Sequence, residues 1–176
     1  ILPMSTCMLY LDNNIHQLYR TLLNDLNSNV SSMHNPGFDT NLIPLSMYIH
    51  IPWCVKKCPY CDFNSHTLRS AQPPELEYIS ALTQQMHQYK TLIQARPIQT
   101  IFFGGGTPSL FSPQAIQRIL ENVCAHFIVA ADVEITLEAN PGTVDQARFA
   151  GFYQAGINRI SIGVQSFNPR HLDQLG

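Results

Sequence analysis

The chain has 176 residues, 45% of them hydrophobic and 12% charged, with a formal net charge of −2. There is enough apolar material for a buried core, which excludes an intrinsically disordered chain. The near-neutral balance excludes a general electrostatic pull toward nucleic acid or an anionic membrane. No apolar run approaches the ~18–20 residues that span a bilayer. The opening ILPMSTCMLYLDNN lacks the basic start and continuous apolar stretch of a secretory signal. Five cysteines is an odd count, and three of them crowd into residues 54–61. Both facts predict metal-ligating thiols in a reducing cytoplasm rather than a secreted disulfide framework. Ile1 stands in place of a methionine and Gly176 ends an unfinished helical pattern, so the chain reads as a piece of a longer protein.

In chain order, Ile15, Leu18, Tyr19, Leu22, Leu23, Leu26 and Val30 form one stripe, predicting an amphipathic helix over 12–30. NSNVSSMHNPGFDTN (27–41) follows as a linker. Residues 1–41 thus form an extension, either an accessory helix or sequence upstream of a true start near Met33 or Met47. From residue 42 onward strand and helix patterns alternate. Strands are predicted over 46–52, 100–105, 134–140 and 159–166. Helices are predicted over 73–94, 112–127 and 143–156, and NPRHLDQLG begins another. The first helix is expected to bury Leu76, Ile79, Met86, Tyr89 and Ile93. Ser112 and Pro113 mark one helix start, Thr143 with Gln146 a capping box, and Gly156 a stop.

Four βα repeats imply a parallel sheet, either open and doubly wound or part of a (β/α) barrel. Strand faces favour the barrel. Glu134, Thr136, Glu138 and Asn140 share one face of their strand; Tyr48 with His50, and Ser161 with Gly163 and Gln165, do so in theirs. Fully buried parallel strands are apolar on both faces, so these strands predict a polar lumen that holds a ligand.

Cys54, Cys58 and Cys61 are spaced C-x3-C-x2-C and directly follow the first strand. Active sites of α/β folds lie at the carboxyl ends of strands. Thiolates select zinc, copper or iron–sulfur clusters. A structural zinc ion would need a fourth ligand, such as His50 or His66. An iron–sulfur cubane held by three cysteines leaves one iron open to an exogenous molecule, and the spacing favours that reading.

This spacing resembles that of the radical S-adenosylmethionine (SAM) superfamily. YIHIPWC, KKCPYCDFNSH, FFGGGTPSL, LEANPGT and GINRISIGVQSF resemble successive blocks of its oxygen-independent coproporphyrinogen III oxidase-like family, most closely the haem chaperone branch. The resemblance runs from about Leu42 to Gly176 and leaves residues 1–41 uncovered. It implies a [4Fe–4S] cluster on Cys54, Cys58 and Cys61. SAM would chelate the fourth iron, and an electron from a donor would cleave it to a 5′-deoxyadenosyl radical. Ile51, Pro52, Trp53, Tyr60 and Phe63 would shield the cluster. Lys56 and Lys57 read as solvated loop lysines, with charge compensation as the competing role. The resemblance also carries over Gly105, Gly106 and Thr107 as contacts to SAM's methionyl end, Glu138 as a second contact, Gln165 toward the ribose, and Tyr48 and Tyr60 toward the SAM pocket. For Tyr48, core packing is an equal reading. Cys124 is expected in the core and Cys7 as a free thiol. His87, His126, His171 and Arg170 are expected at the surface, and Arg159 at a helix–strand contact.

The resemblance leaves two activities open. One is a haem chaperone that keeps cluster and SAM and passes haem to an acceptor protein. The other is radical decarboxylation of coproporphyrinogen III. The oxidases carry a fourth cysteine two residues after the third, where this chain has Phe63, which favours the chaperone. The branch's haem-anchoring histidine motif lies beyond Gly176. The superfamily barrel has six strands, of which four are predicted here. The open edge predicts poor solubility for the isolated chain.

Overall fold

A computed structural model describes residues 43–90, 93 and 96–175. The helix predicted over 12–30 and its linker lie outside the described residues. The strands are β1 (Leu45–Ile51), β2 (Trp53–Cys54), β3 (His66–Thr67), β4 (Ile98–Gly105), β5 (Val129–Ala139) and β6 (Arg159–Ile162). The helices are α1 (Glu75–Tyr89), α2 (Pro113–His126), α3 (Gln146–Gln154) and α4 (Pro169–Leu175).

Four strands form one sheet in the order β1-β4-β5-β6, every neighbouring pair parallel. Among the described residues the spatial order of the sheet equals chain order, with no reversal point of the doubly wound kind. With right-handed crossovers, a sheet that grows in one direction puts its helices on one face. That is the arrangement of a barrel wall. The apolar face of β1, β4 and β5 (Met47, Ile49, Ile51, Ile101, Phe103, Ile135, Leu137) is buried. It joins one core with Leu82 and Met86 of α1, Ile116, Ile119 and Val123 of α2, and Phe152 of α3.

The opposite face is polar, and the register aligns it in rows. Tyr48 pairs with Phe102, Phe102 with Thr136, and Thr136 with Arg159. One layer further toward the carboxyl ends, His50 pairs with Gly104, and Glu138 with Ser161. The predicted lumen-like face is therefore present.

Several local expectations change. Met86 is buried as expected and Ile79, Tyr89 and Ile93 pack against the core, but Leu76 is 65% exposed, and Tyr78 and Leu82 are buried on α1 as well. Glu75 is drawn to α2, where it accepts from the N–H and hydroxyl of Ser112; this turns Leu76, one residue on, outward. Ser112 does cap α2, accepting from Ala115 N at 3.1 Å. The cap of α3 is Asp145, which accepts from Arg148 N, not Thr143. Thr143 belongs to the preceding 3-10 turn (Pro141–Thr143), where its hydroxyl donates to Asn140 O. Gly156 has φ +109 and terminates α3 as expected. Cys124 is exposed rather than buried, since α2 turns Ile119, Leu120 and Val123 to the core. Strand β6 stops at Ile162, four residues short of the predicted 166.

Candidate metal centre

The cysteine loop begins where β1 ends. Its two ends are stapled by the β2–β3 ribbon: His66 N donates to Pro52 O at 2.7 Å and Leu68 N to Cys54 O at 2.9 Å. Cys54 is buried, Cys58 and Cys61 are half-buried, and all three are free thiols. Inside the loop, Cys61 N donates to Cys58 O. Lys57 Nζ donates to the carbonyls of Phe63 and Ser65, both at 3.3 Å. Lys57 is thus a clasp of the loop rather than a free surface charge.

The glycine run at the end of β4 lies against this loop. Gly106 N donates to Ile51 O at 2.8 Å and Thr107 N to Trp53 O at 2.7 Å. A Cβ on Gly106 would sit 2.6 Å from Trp53 O, so only glycine permits the approach. Gly105 has φ +116, and a Cβ there would sit 2.6 Å from the His50 ring. Buried Pro108 opens the 3-10 turn that follows, and Arg148 Nη2 reaches across from α3 to hold that turn by the carbonyls of Ser109 and Phe111. Trp53 stacks on Phe111 at 5.8 Å, walling the helix side of the loop.

Glu138 stands near the carboxyl end of β5 and accepts from Gly105 N at 3.3 Å. It is half-buried, and burial pushes its carboxyl above the usual range, opposed by the Gly105 N–H and by His50. Tyr48 is pushed up to about 12, chiefly by burial and then by the Glu138 charge. Tyr48 also stacks on Phe102. Its hydroxyl lies 3.2 Å from His50 Nδ1, and His50 Nε2 lies 2.8 Å from Asn64 O. Tyr60 is largely exposed, and its hydroxyl is pushed up first by a hydrogen bond with Cys58.

The structure therefore brings together Cys54, Cys58, Cys61, Tyr60, Gly105, Gly106, Thr107, Glu138 and Tyr48. It leaves Gln165 apart: this residue is exposed, has φ +64 and lies beyond the end of β6. Arg159, expected at a helix–strand contact, instead lies on the polar sheet face, 3.1 Å from Glu134 Oε1. Sequence reasoning noted His50 only as a zinc ligand and as an inward residue; both its ring nitrogens are engaged. Asn64 and Ser65 belong to the block KKCPYCDFNSH that carries the resemblance, but no individual role was read for either.

Among the described residues, no group of three His, Cys, Asp or Glu side chains is arranged to hold a single metal ion. Of the two histidines named as a fourth zinc ligand, His50 has both ring nitrogens in hydrogen bonds and His66 Nε2 lies 3.1 Å from Asn64 Oδ1. Three free thiols on one loop, with a half-buried carboxylate and tightly approached backbone beside them, fit a cluster that takes a cationic ligand at its open corner.

Fold and site together define a barrel-type α/β protein with a three-thiol centre beside a glycine loop. The profile of the Radical SAM superfamily matches residues 48–176. The chain belongs to that superfamily, and its four-stranded wall is part of the superfamily's barrel. It is similar to the heme chaperone HemW of Escherichia coli, at 55% identity over 135 residues, 77% of this chain and 35% of the relative. HemW of Haemophilus influenzae is 53% identical over 139 residues, 77% of this chain and 36% of that protein. A mitochondrial radical S-adenosyl methionine domain-containing protein 1 from Danio rerio is 40% identical, covering 85% of this chain and 34% of its own. Among solved structures, coproporphyrinogen III oxidase (HemN) from Escherichia coli, described as a radical SAM enzyme, superposes with a TM-score of 0.68. It is 32% identical and covers 75% of this chain and 30% of its own. The chain thus spans about a third of the length of these relatives. Among the described residues, no helix is long and apolar enough to cross a membrane.

Proposed function

We propose that Cys54, Cys58 and Cys61 hold a [4Fe–4S] cluster, that SAM binds its fourth iron, and that the protein to which this chain belongs carries haem to an acceptor protein in the cytoplasm. The radical SAM core is assigned to residues 42–176, with 1–41 as an extension. The observation that carries the reading is three free thiols on one loop, the glycine loop bonded to the start of that loop, and Glu138 bonded to the same glycine loop. When bound, the cluster supplies one-electron reduction of the sulfonium.

The remaining chemistry belongs to the chain. SAM's ammonium group donates and needs acceptors. The N–H groups of Gly106 and Thr107 are already spent on Ile51 and Trp53. The glycine loop therefore offers backbone carbonyls, and Glu138 offers a carboxylate whose burial strengthens its attraction to a cation. The Glu138–Gly105 bond fixes that carboxylate beside the loop. Tyr48 and Tyr60 bound the site with aromatic surface, and Gln165 is assigned to the ribose.

A second reading is decarboxylation of coproporphyrinogen III, favoured by the likeness to the oxidase structure. Phe63, 65% exposed on the cysteine loop, stands where those enzymes carry a further cysteine and favours the chaperone. The deciding experiment reconstitutes the full-length protein without oxygen, adds SAM, and follows the cluster's EPR signal and 5′-deoxyadenosine release. Haem titration follows. Stoichiometric haem binding without coproporphyrinogen turnover supports the carrier; turnover supports the oxidase. A loaded cluster whose spectrum ignores SAM overturns both.

A further inference from the structure

We infer that Ser65 is a positioning residue that tunes the metal centre by donating its hydroxyl hydrogen bond to the sulfur of Cys61. The inference rests on the proposed cluster ligation. Ser65 is 2% exposed, although its neighbours Asn64 and His66 are exposed. Its Oγ lies 3.7 Å from Cys61 Sγ, within hydrogen-bond reach of sulfur. In the free thiol either group could donate. A thiolate bound to iron has no proton and can only accept, so ligation forces the hydroxyl to be the donor.

The Ser65 backbone is also held in place. Ser65 N donates to Phe63 O at 2.7 Å, and Ser65 O accepts from Lys57 Nζ at 3.3 Å. The next residue is fixed as well, through the His66 N bond to Pro52 O. Burial keeps water from replacing the bond. Hydrogen bonds to cluster sulfurs help set the reduction potential. A donor stabilises the reduced cluster more than the oxidised one, because the reduced cluster carries more negative charge. Ser65 therefore raises the potential of the cluster, easing electron entry.

The test uses anaerobically reconstituted full-length protein as wild type, S65A and S65T. Iron content and EPR come first, then potentiometric titration of the cluster. The expected result is full loading of all three, a more negative midpoint for S65A, and a wild-type midpoint for S65T, which keeps the hydroxyl. Equal midpoints for S65A and wild type overturn the inference and leave the cluster assignment intact. A wild-type protein that loads no cluster overturns the assignment instead. If S65A folds but fails to load, Ser65 is a packing residue and the tuning role is lost. If S65A fails to fold, S65T decides: a wild-type midpoint supports the role and a more negative one overturns it.

Discussion

Tyr48 donates its hydroxyl hydrogen bond to His50 Nδ1, 3.2 Å away, and the direction is dictated by a third group. His50 Nε2 lies 2.8 Å from the carbonyl oxygen of Asn64, which can only accept. In the neutral ring the proton therefore sits on Nε2, and Nδ1 is left as the acceptor for the phenol. A chain of two hydrogen bonds thus runs from the polar sheet face into the loop between Cys61 and Ser65. It ties the polar sheet face to the cysteine loop.

Replacing His50 by leucine keeps most of the volume and removes both bonds. The half-buried Tyr48 hydroxyl then loses its partner, and the loop loses its tie through the carbonyl of exposed Asn64. We expect a loss of about 2 kcal/mol in unfolding free energy, in line with about 1–3 kcal/mol per orphaned polar group. Iron loading should fall with it. Chemical denaturation and iron analysis of H50L check both.

Gly105 is the glycine whose replacement should hurt most. At φ +116 a side chain is strained, and the Cβ would sit 2.6 Å from the His50 ring. G105A should cost roughly 2 kcal/mol or more, combining backbone strain with the displaced ring. At Gly142 a Cβ would meet only Asn140 Oδ1, at 3.4 Å, with no left-handed φ. G142A should stay within about 0.5 kcal/mol of wild type, as surface substitutions usually do. Equal losses at the two sites would contradict this account.

Glu138 makes stability depend on pH with a definite sign. Burial raises its folded-state affinity for a proton above that of the unfolded chain. The folded state then binds more protons, so stability falls as pH rises through the folded titration and is regained in acid. E138Q removes that loss. In the absence of ligand the variant should be more stable than wild type near neutral pH, with the gap closing below the unfolded carboxylate range. Its SAM binding should weaken. Thermal melts from pH 3 to pH 8 decide the first point and calorimetric SAM titration the second.

Serine replacement should sort the cysteines. C54S, C58S and C61S should each lose the cluster absorbance and EPR signal after anaerobic reconstitution. C124S, at an exposed position on α2, should retain full iron content. Retention of the cluster by any of the first three would remove that residue from the ligand set.

By itself, the sequence determined the alternation of elements, the barrel-like polar face and the three-thiol loop. Each is written in the spacing of neighbouring residues: period 2 in β1 and β5, cap residues at Ser112 and Gly156, and thiols within eight positions. Where two local signals competed, the reading slipped. Leu76 fits a helical stripe but is displaced by the Glu75–Ser112 bond, a contact across 37 residues. Thr143 matches a capping pattern, but Asp145 is the residue whose carboxylate reaches the open N–H of α3.

Only the tertiary structure decided what surrounds the thiols. The Gly105–Glu138 bond joins residues 33 apart, and the His50–Asn64 bond joins residues 14 apart. No periodicity along the chain encodes either, because inter-strand register and loop closure set them. The same holds for Ser65, whose hydroxyl meets Cys61 only because the β2–β3 ribbon and Lys57 fold the loop back on itself.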